Sequence, residues 1–333
     1  LKVLGASWDV SWHFRWLRDD LAPPHLLNTV GTLLAVTLTV VHAYTGYGVD
    51  RKASLWIQWG TAIFLIAIPL DVINHRVNGL DITSWSPSHA LLYLGTALML
   101  AGVIRGWLRG APPGRRRTLV LGALFAFFLE NMVFPAQHQE YGVREIASWD
   151  RGEPYAEPEL LAFAADQMGR PVDREMVVWF SLPMPDWLYP LWLGVACALV
   201  LVVARRLIGR RFAATAVAGV YLGYRMLIWP LLYAAGFPES AITFFLLAAG
   251  LAVDLAFLVG PAPARVALGS ALVVAAVYGG QLVQDRLLDA PPPAGPPAAA
   301  WMLVLLALAW GVAERLMRPG QSTGARVSAT ATP

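Results

Sequence analysis

Six residues in the first third of the chain have the types and spacing of metal ligands. Asp9 is followed four residues later by His13, and His25 comes directly after Pro23-Pro24. Asp71 is followed four residues later by His75, and His89 comes directly after Pro87-Ser88. An Asp and a His at i and i+4 lie on one face of a helix, close enough to share an ion. A proline suits the opening turn of a returning helix, which brings His25 and His89 back beside those pairs. Two imidazoles and one carboxylate with coordination positions left open form the ligand set of mononuclear catalytic centres. The set suits copper, zinc or non-haem iron. The competing reading is that these groups only hydrogen-bond and cap helix ends.

The two sets belong to an internal duplication. Each unit holds an Asp, a His four later, a second Asp six beyond that (Asp19 and Asp81), a Pro-x-His, and a Gly-Thr six residues past the last His (Gly31-Thr32 and Gly95-Thr96). Each unit reads as a helical hairpin. Both enter from the same side, so they are parallel repeats about an axis along a membrane normal. Asp19 and Asp81 either accept a proton-bearing imidazole nitrogen or cap the returning helix.

The hairpins sit in a chain of 333 residues that is 57% hydrophobic and only 14% charged, with a mean hydropathy of +0.54. Soluble proteins carry about 25% charged residues, so this chain lacks the polar surface to cover a globule in water. The apolar content excludes a disordered protein. The single Cys197 excludes a disulfide scaffold and a thiolate zinc site. A helix needs about 20 apolar residues to cross the hydrocarbon core. Such runs fall near 24–46, 53–75, 87–108, 117–134, 187–205, 212–235, 238–260, 263–283 and 297–316, with 1–13 as a partial one. The expectation is an all-α, polytopic transmembrane helical bundle of about nine to ten helices.

Alternating spans put Arg51, Lys52, Arg105, Arg109, Arg115 to Arg117, Arg205, Arg206, Arg210, Arg211, Arg265, Arg315 and Arg318 on one side. The positive-inside rule makes that side cytoplasmic. Segment 135–186, with ten acidic residues against four arginines, falls on the other side. The chain therefore divides into a metal-binding repeat region at 1–110, a transmembrane helix at 111–134 and an acidic extracytoplasmic loop at 135–186. A five-helix transmembrane region at 187–318 and a disordered tail at 319–333 follow. A short amphipathic helix is expected around Glu157–Met168. Both triads fall near the extracytoplasmic face of a plasma membrane. The lipid bilayer is the expected partner, further membrane subunits or a second copy are left open, and nucleic acid is not expected.

Other polar residues carry two readings each. Glu130, with His138 just beyond, sits at the membrane level of the triads, as a further ligand or proton relay, or as a local cap. Arg225 and Asp254 lie within apolar runs, as a buried ion pair that locks two helices or as part of an ion route. Trp12 and Trp85 stand beside the ligands, where they wall a dry pocket or belong to an interfacial aromatic belt. Gly-x-Ser-x-Gly, His-Glu-x-x-His and phosphate-binding glycine loops are absent from the sequence.

The first unit, Asp9-x3-His13-x11-His25 with Trp12 before the first His and Arg18-Asp19 after it, resembles the C subunit of copper membrane monooxygenases. These are the particulate methane and ammonia monooxygenases and their hydrocarbon-oxidising relatives. Gly5–Ser7 is similar to the stretch ahead of that motif, and the 13-residue gap between His75 and His89 is similar to that of the family's second copper site. The family has Asn where this chain has Asp71, and its first gap is one residue longer. The resemblance covers residues 5–100. It implies one copper on Asp9, His13 and His25, a second on Asp71, His75 and His89, and insertion of one oxygen atom of O₂ into a C–H or N–H bond. The alternative function is a membrane copper- or zinc-binding transporter or sensor without oxygenase activity.

Overall fold

The computed structural model describes residues 2–17, 21–78, 83–238, 241–288, 291 and 293–317. Among them the regular structure is entirely helical: α1 (Lys2–His13), α2 (Pro23–Thr45), α3 (Arg51–Asn78), α4 (Pro87–Gly110), α5 (Arg115–Asp150), α6 (Pro158–Met168), α7 (Arg174–Ser181), α8 (Leu188–Trp192), α9 (Ala198–Ile208), α10 (Ala213–Ala234), α11 (Phe245–Ala256), α12 (Ala262–Leu288) and α13 (Pro296–Leu316). A π-helical turn at Leu193–Cys197 joins α8 to α9 as one continuous rod. Eight helices are long and apolar enough to cross a membrane. The protein is a polytopic helical bundle.

The two hairpins of the duplication are α1–α2 and α3–α4. In the second, the helices cross at glycines: a Cβ on Gly60 would lie 2.6 Å from Gly95 O, and one on Gly95 would lie 2.7 Å from Gly60 O. Backbones that approach this closely need residues without side chains, a recurrent solution where lipid supplies no hydrophobic drive between helices. The main core lies elsewhere, where Leu129, Val133, Leu193, Leu201, Leu246 and Trp310 are fully buried between α5 and the helices from α8 to α13. Helix α2 is nearly bare, with 6% of its apolar window buried.

Two boundaries differ from the hydropathy reading. The fourth full span does not stop at 134, because α5 runs unbroken through Pro135 to Asp150. Its 36 residues extend about 54 Å at 1.5 Å per residue. The polar residues that mark an apparent end, Gln137, Gln139, Glu140 and Glu145, are buried against neighbouring helices rather than solvated. Carbonyls beside Pro135 take side-chain donors, Trp192 Nε1 on Met132 O and Ser84 Oγ on Pro135 O. The run at 238–260 folds as α11, only 12 residues long, behind a non-helical stretch. The partial run at 1–13 corresponds to α1. Segment 135–186 thus holds the end of α5 with α6 and α7, and α6 coincides with the expected amphipathic helix.

Candidate metal centres

Helix α1 carries two working faces. Gly5, Asp9 and His13 recur every four residues and face α2, so close that a Cβ on Gly5 would lie 2.6 Å from Asn28 Oδ1. Helix α2 opens on Pro23-Pro24 and places His25 in its first turn. His25 Nε2 then lies 2.9 Å from Asp9 Oδ1, His13 Nε2 lies 3.4 Å from the same oxygen, and the two Nε2 atoms are 3.3 Å apart.

These separations are of the size at which three such atoms could share one ion. Among the described residues, this is the group of three His, Cys, Asp or Glu whose ligand atoms all lie within 4.8 Å of one another. Asp9 Oδ1 is buried between the two imidazoles, and its close polar neighbours are their Nε2 atoms. One carboxylate oxygen facing two ring nitrogens is a donor set that suits a cation. Burial alone would raise the Asp9 carboxyl. The His13 and His25 imidazoles outweigh it and hold the group well below the usual carboxylate range. The residues present fit a metal.

The second hairpin repeats the arrangement more loosely. Asp71 Oδ1 lies 3.5 Å from His75 Nε2 and 3.6 Å from His89 Nε2. Ser88 Oγ donates to that same oxygen at 2.9 Å. Ser86 caps α4 by accepting from His89 N, and Thr83 O lies 3.4 Å from His89 Nδ1. A carbonyl at Nδ1 favours the tautomer with its proton there and the lone pair on Nε2, the nitrogen that faces Asp71. Nothing in the sequence reading assigned a role to Ser88, although its place inside Pro-x-His, next to a ligand, was a usable signal.

Asp19 and Asp81 lie outside the described residues. Glu130 does not join a triad: its Oε1 accepts from Ser7 Oγ at 3.0 Å and Gln137 Nε2 at 3.1 Å, and pairs with Arg225 at 3.4 Å. Ser7 Oγ also meets Tyr224 OH at 2.8 Å. His138 lies between the two centres, within electrostatic reach of His13 and His89. Its ring packs on Phe14 at 5.0 Å, and its buried Nε2 has no hydrogen-bond partner.

Arg225 and Asp254 do not pair with each other. Asp254 pairs with Arg205 at 2.9 Å and accepts from Thr215 N and Oγ1 at 2.8 and 2.7 Å, at the start of α10. Arg225 lies ten residues further along that helix, about 15 Å away. Trp12 stacks on Phe237 at 5.6 Å, and Trp85 meets Trp192 edge-on at 4.9 Å. Spacing along one sequence segment carries no signal for these long-range partners. No protein-family model matches the chain, and neither does any curated protein or solved structure.

Proposed function

We propose that this protein is a membrane metalloprotein that holds copper on Asp9, His13 and His25, and a second copper on Asp71, His75 and His89. In this reading it oxidises a small apolar substrate with O₂. The observation that carries the proposal is the triangle of 2.9, 3.3 and 3.4 Å formed by the buried Asp9 oxygen and the two imidazole nitrogens.

The chain's own residues prepare the site in three ways. Asp9 and Asp71 set one carboxylate oxygen opposite two imidazoles in each hairpin, which supplies charge and leaves positions open. Thr83 O orients His89, and the Pro-led first turns of α2 and α4 aim His25 and His89 inwards. Leu26 and Val30 stay half exposed beside His25, so an apolar substrate dissolved in lipid would meet the site without crossing water. Copper, when bound, supplies the activation of O₂.

An extracytoplasmic position is supported by charge. Arg51 and Lys52 open α3 at the end opposite Asp71 and His75, about 30 Å away along the helix, on the side that the positive-inside rule assigns to the cytoplasm. The transport alternative loses its expected route, because Arg225 and Asp254 are engaged in separate structural pairs.

The test is copper content of detergent-purified protein by mass spectrometry, beside a His13→Ala/His75→Ala variant. One to two equivalents, lost in the variant, would support the centres, and copper-dependent O₂ uptake with short hydrocarbons would then test the oxidation. Zinc in place of copper would remove the oxygenase reading. A metal-free protein after reconstitution would remove both centres.

A further inference from the structure

Each triad is gripped from behind by one aromatic side chain of the C-terminal bundle. At the first centre, Phe237 stands at the corner between α10 and α11 and stacks on Trp12, the residue before His13, at 5.6 Å with a 29° interplanar angle. Trp8 meets the same ring edge-on at 5.9 Å, and the Arg15 guanidinium lies 5.9 Å from it. Ser11 Oγ donates to Pro238 O. These contacts hold the face of α1 that carries residues 8, 11, 12 and 15, away from Asp9 and His13, which face α2.

At the second centre the grip comes from the α8–α9 rod. Trp192 meets Trp85 at 4.9 Å and 89°, and its Nε1 donates to Met132 O of α5. One residue before Trp85, Ser84 Oγ donates to Pro135 O at 3.0 Å. Trp85 leads directly into the Ser86 cap that sets His89.

Helix α2 is almost bare, so the packing of the first hairpin on the rest of the bundle runs through α1. Ligand geometry needs placement within about 0.5 Å, and partners behind a ligand typically change metal affinity 10- to 100-fold when removed. We propose that Phe237 and Trp192 are positioning residues, one for each centre, through which the C-terminal bundle sets metal affinity at the two triads separately. The inference rests on the metal-centre reading above.

The experiment titrates cupric ion into the full-length protein in detergent, with Cu(II) paramagnetic resonance reporting nitrogen ligation. Backgrounds carrying His13→Ala or His75→Ala leave one centre each. Phe237→Ala should weaken copper binding about 10-fold or more where only the first centre remains, with little change where only the second does. Trp192→Ala should do the reverse. Phe237→Tyr, which keeps the stacking ring, should restore both the affinity and the nitrogen hyperfine pattern.

Equal losses at both centres, or no loss at either, would overturn the proposal while leaving the metal reading intact. Wild-type protein that binds no copper would overturn both. Amide exchange across α1 separates local release from global unfolding: Phe237→Ala should speed exchange at residues 4–16 and not in α12 or α13. Faster exchange throughout would also count against the proposal.

Discussion

Ser88 donates its hydroxyl to Asp71 Oδ1 at 2.9 Å, on the oxygen that faces both imidazoles of the second triad. The first triad has Pro24 at the matching position, which offers no hydroxyl to Asp9 Oδ1. A hydroxyl on a carboxylate oxygen draws on the lone pairs that a metal would use. The second triad is also wider by a few tenths of an ångström. The first centre should therefore bind copper several-fold more tightly than the second. Titrations of the His75→Ala and His13→Ala variants, which retain one centre each, compare the two directly. Equal or inverted affinities would show that the Ser88 bond and the wider spacing do not govern binding.

The proton balance of copper binding follows from Asp9. Its carboxyl is held low because His13 and His25 outweigh burial. A carboxyl depressed in the folded state stabilises the fold above its unfolded value of about 4, and that stabilisation is lost as pH falls through the folded value. Asp9 is thus ionised throughout pH 5–8 and releases no proton when a metal arrives. Protons released there come from the imidazoles, which must be neutral to ligate. Calorimetry of the His75→Ala variant in buffers of different ionisation enthalpy should find no proton release on copper binding that tracks a carboxylate step near pH 4–5. A release that titrates there would contradict the ionised Asp9.

Arg225 and Glu130 are both almost completely buried and pair at 3.4 Å. Removing one partner strands the other charge, which costs about 3–5 kcal/mol, whereas replacing both by apolar residues is often neutral. Glu130→Met should lower the unfolding temperature in detergent markedly. The Glu130→Met/Arg225→Met variant should recover most of the loss, although Ser7 and Gln137 also lose their acceptor. A double variant as unstable as the single one would mean that Glu130 matters through Ser7 and Gln137 rather than through its charge.

The contrast between the triads and Arg225 explains what the sequence can reveal. Asp9, His13 and His25 are joined by helix periodicity and one short turn, so their convergence follows from local geometry. The same holds for the eight long apolar helices, each set by its own run of residues. The partners of Arg225, Asp254, Trp12 and Trp85 come from 40 to more than 200 positions away and depend on which helices pack together. Hydropathy failed at α5 for a related reason: it registers the polarity of Gln137 and Glu140 but not the tertiary contacts that bury them. At α11 it registered a continuous apolar run and missed that the backbone there becomes helical only from Phe245.

Those tertiary contacts also yield a prediction for the cap formed by α6 and α7. Gly142 of α5 lies against the end of α7, where an added Cβ would sit 2.0 Å from Ser181 O. The obstructing atom is backbone, so Gly142→Ala must move α7 as a unit, at a cost of about 1–3 kcal/mol typical of overpacking. The Arg174–Asp150 pair at 2.7 and 2.9 Å also ties α7 to α5. It lies exposed at the surface, where solvent screens it, so it does not offset that displacement. Gly142→Ala should speed amide exchange across residues 158–181 while leaving copper stoichiometry unchanged, because the triads are carried by α1 to α4 and gripped by Phe237 and Trp192. Loss of copper in this variant would instead make the cap part of the metal-binding machinery. The route would run through His138, the α5 residue that lies within reach of both His13 and His89.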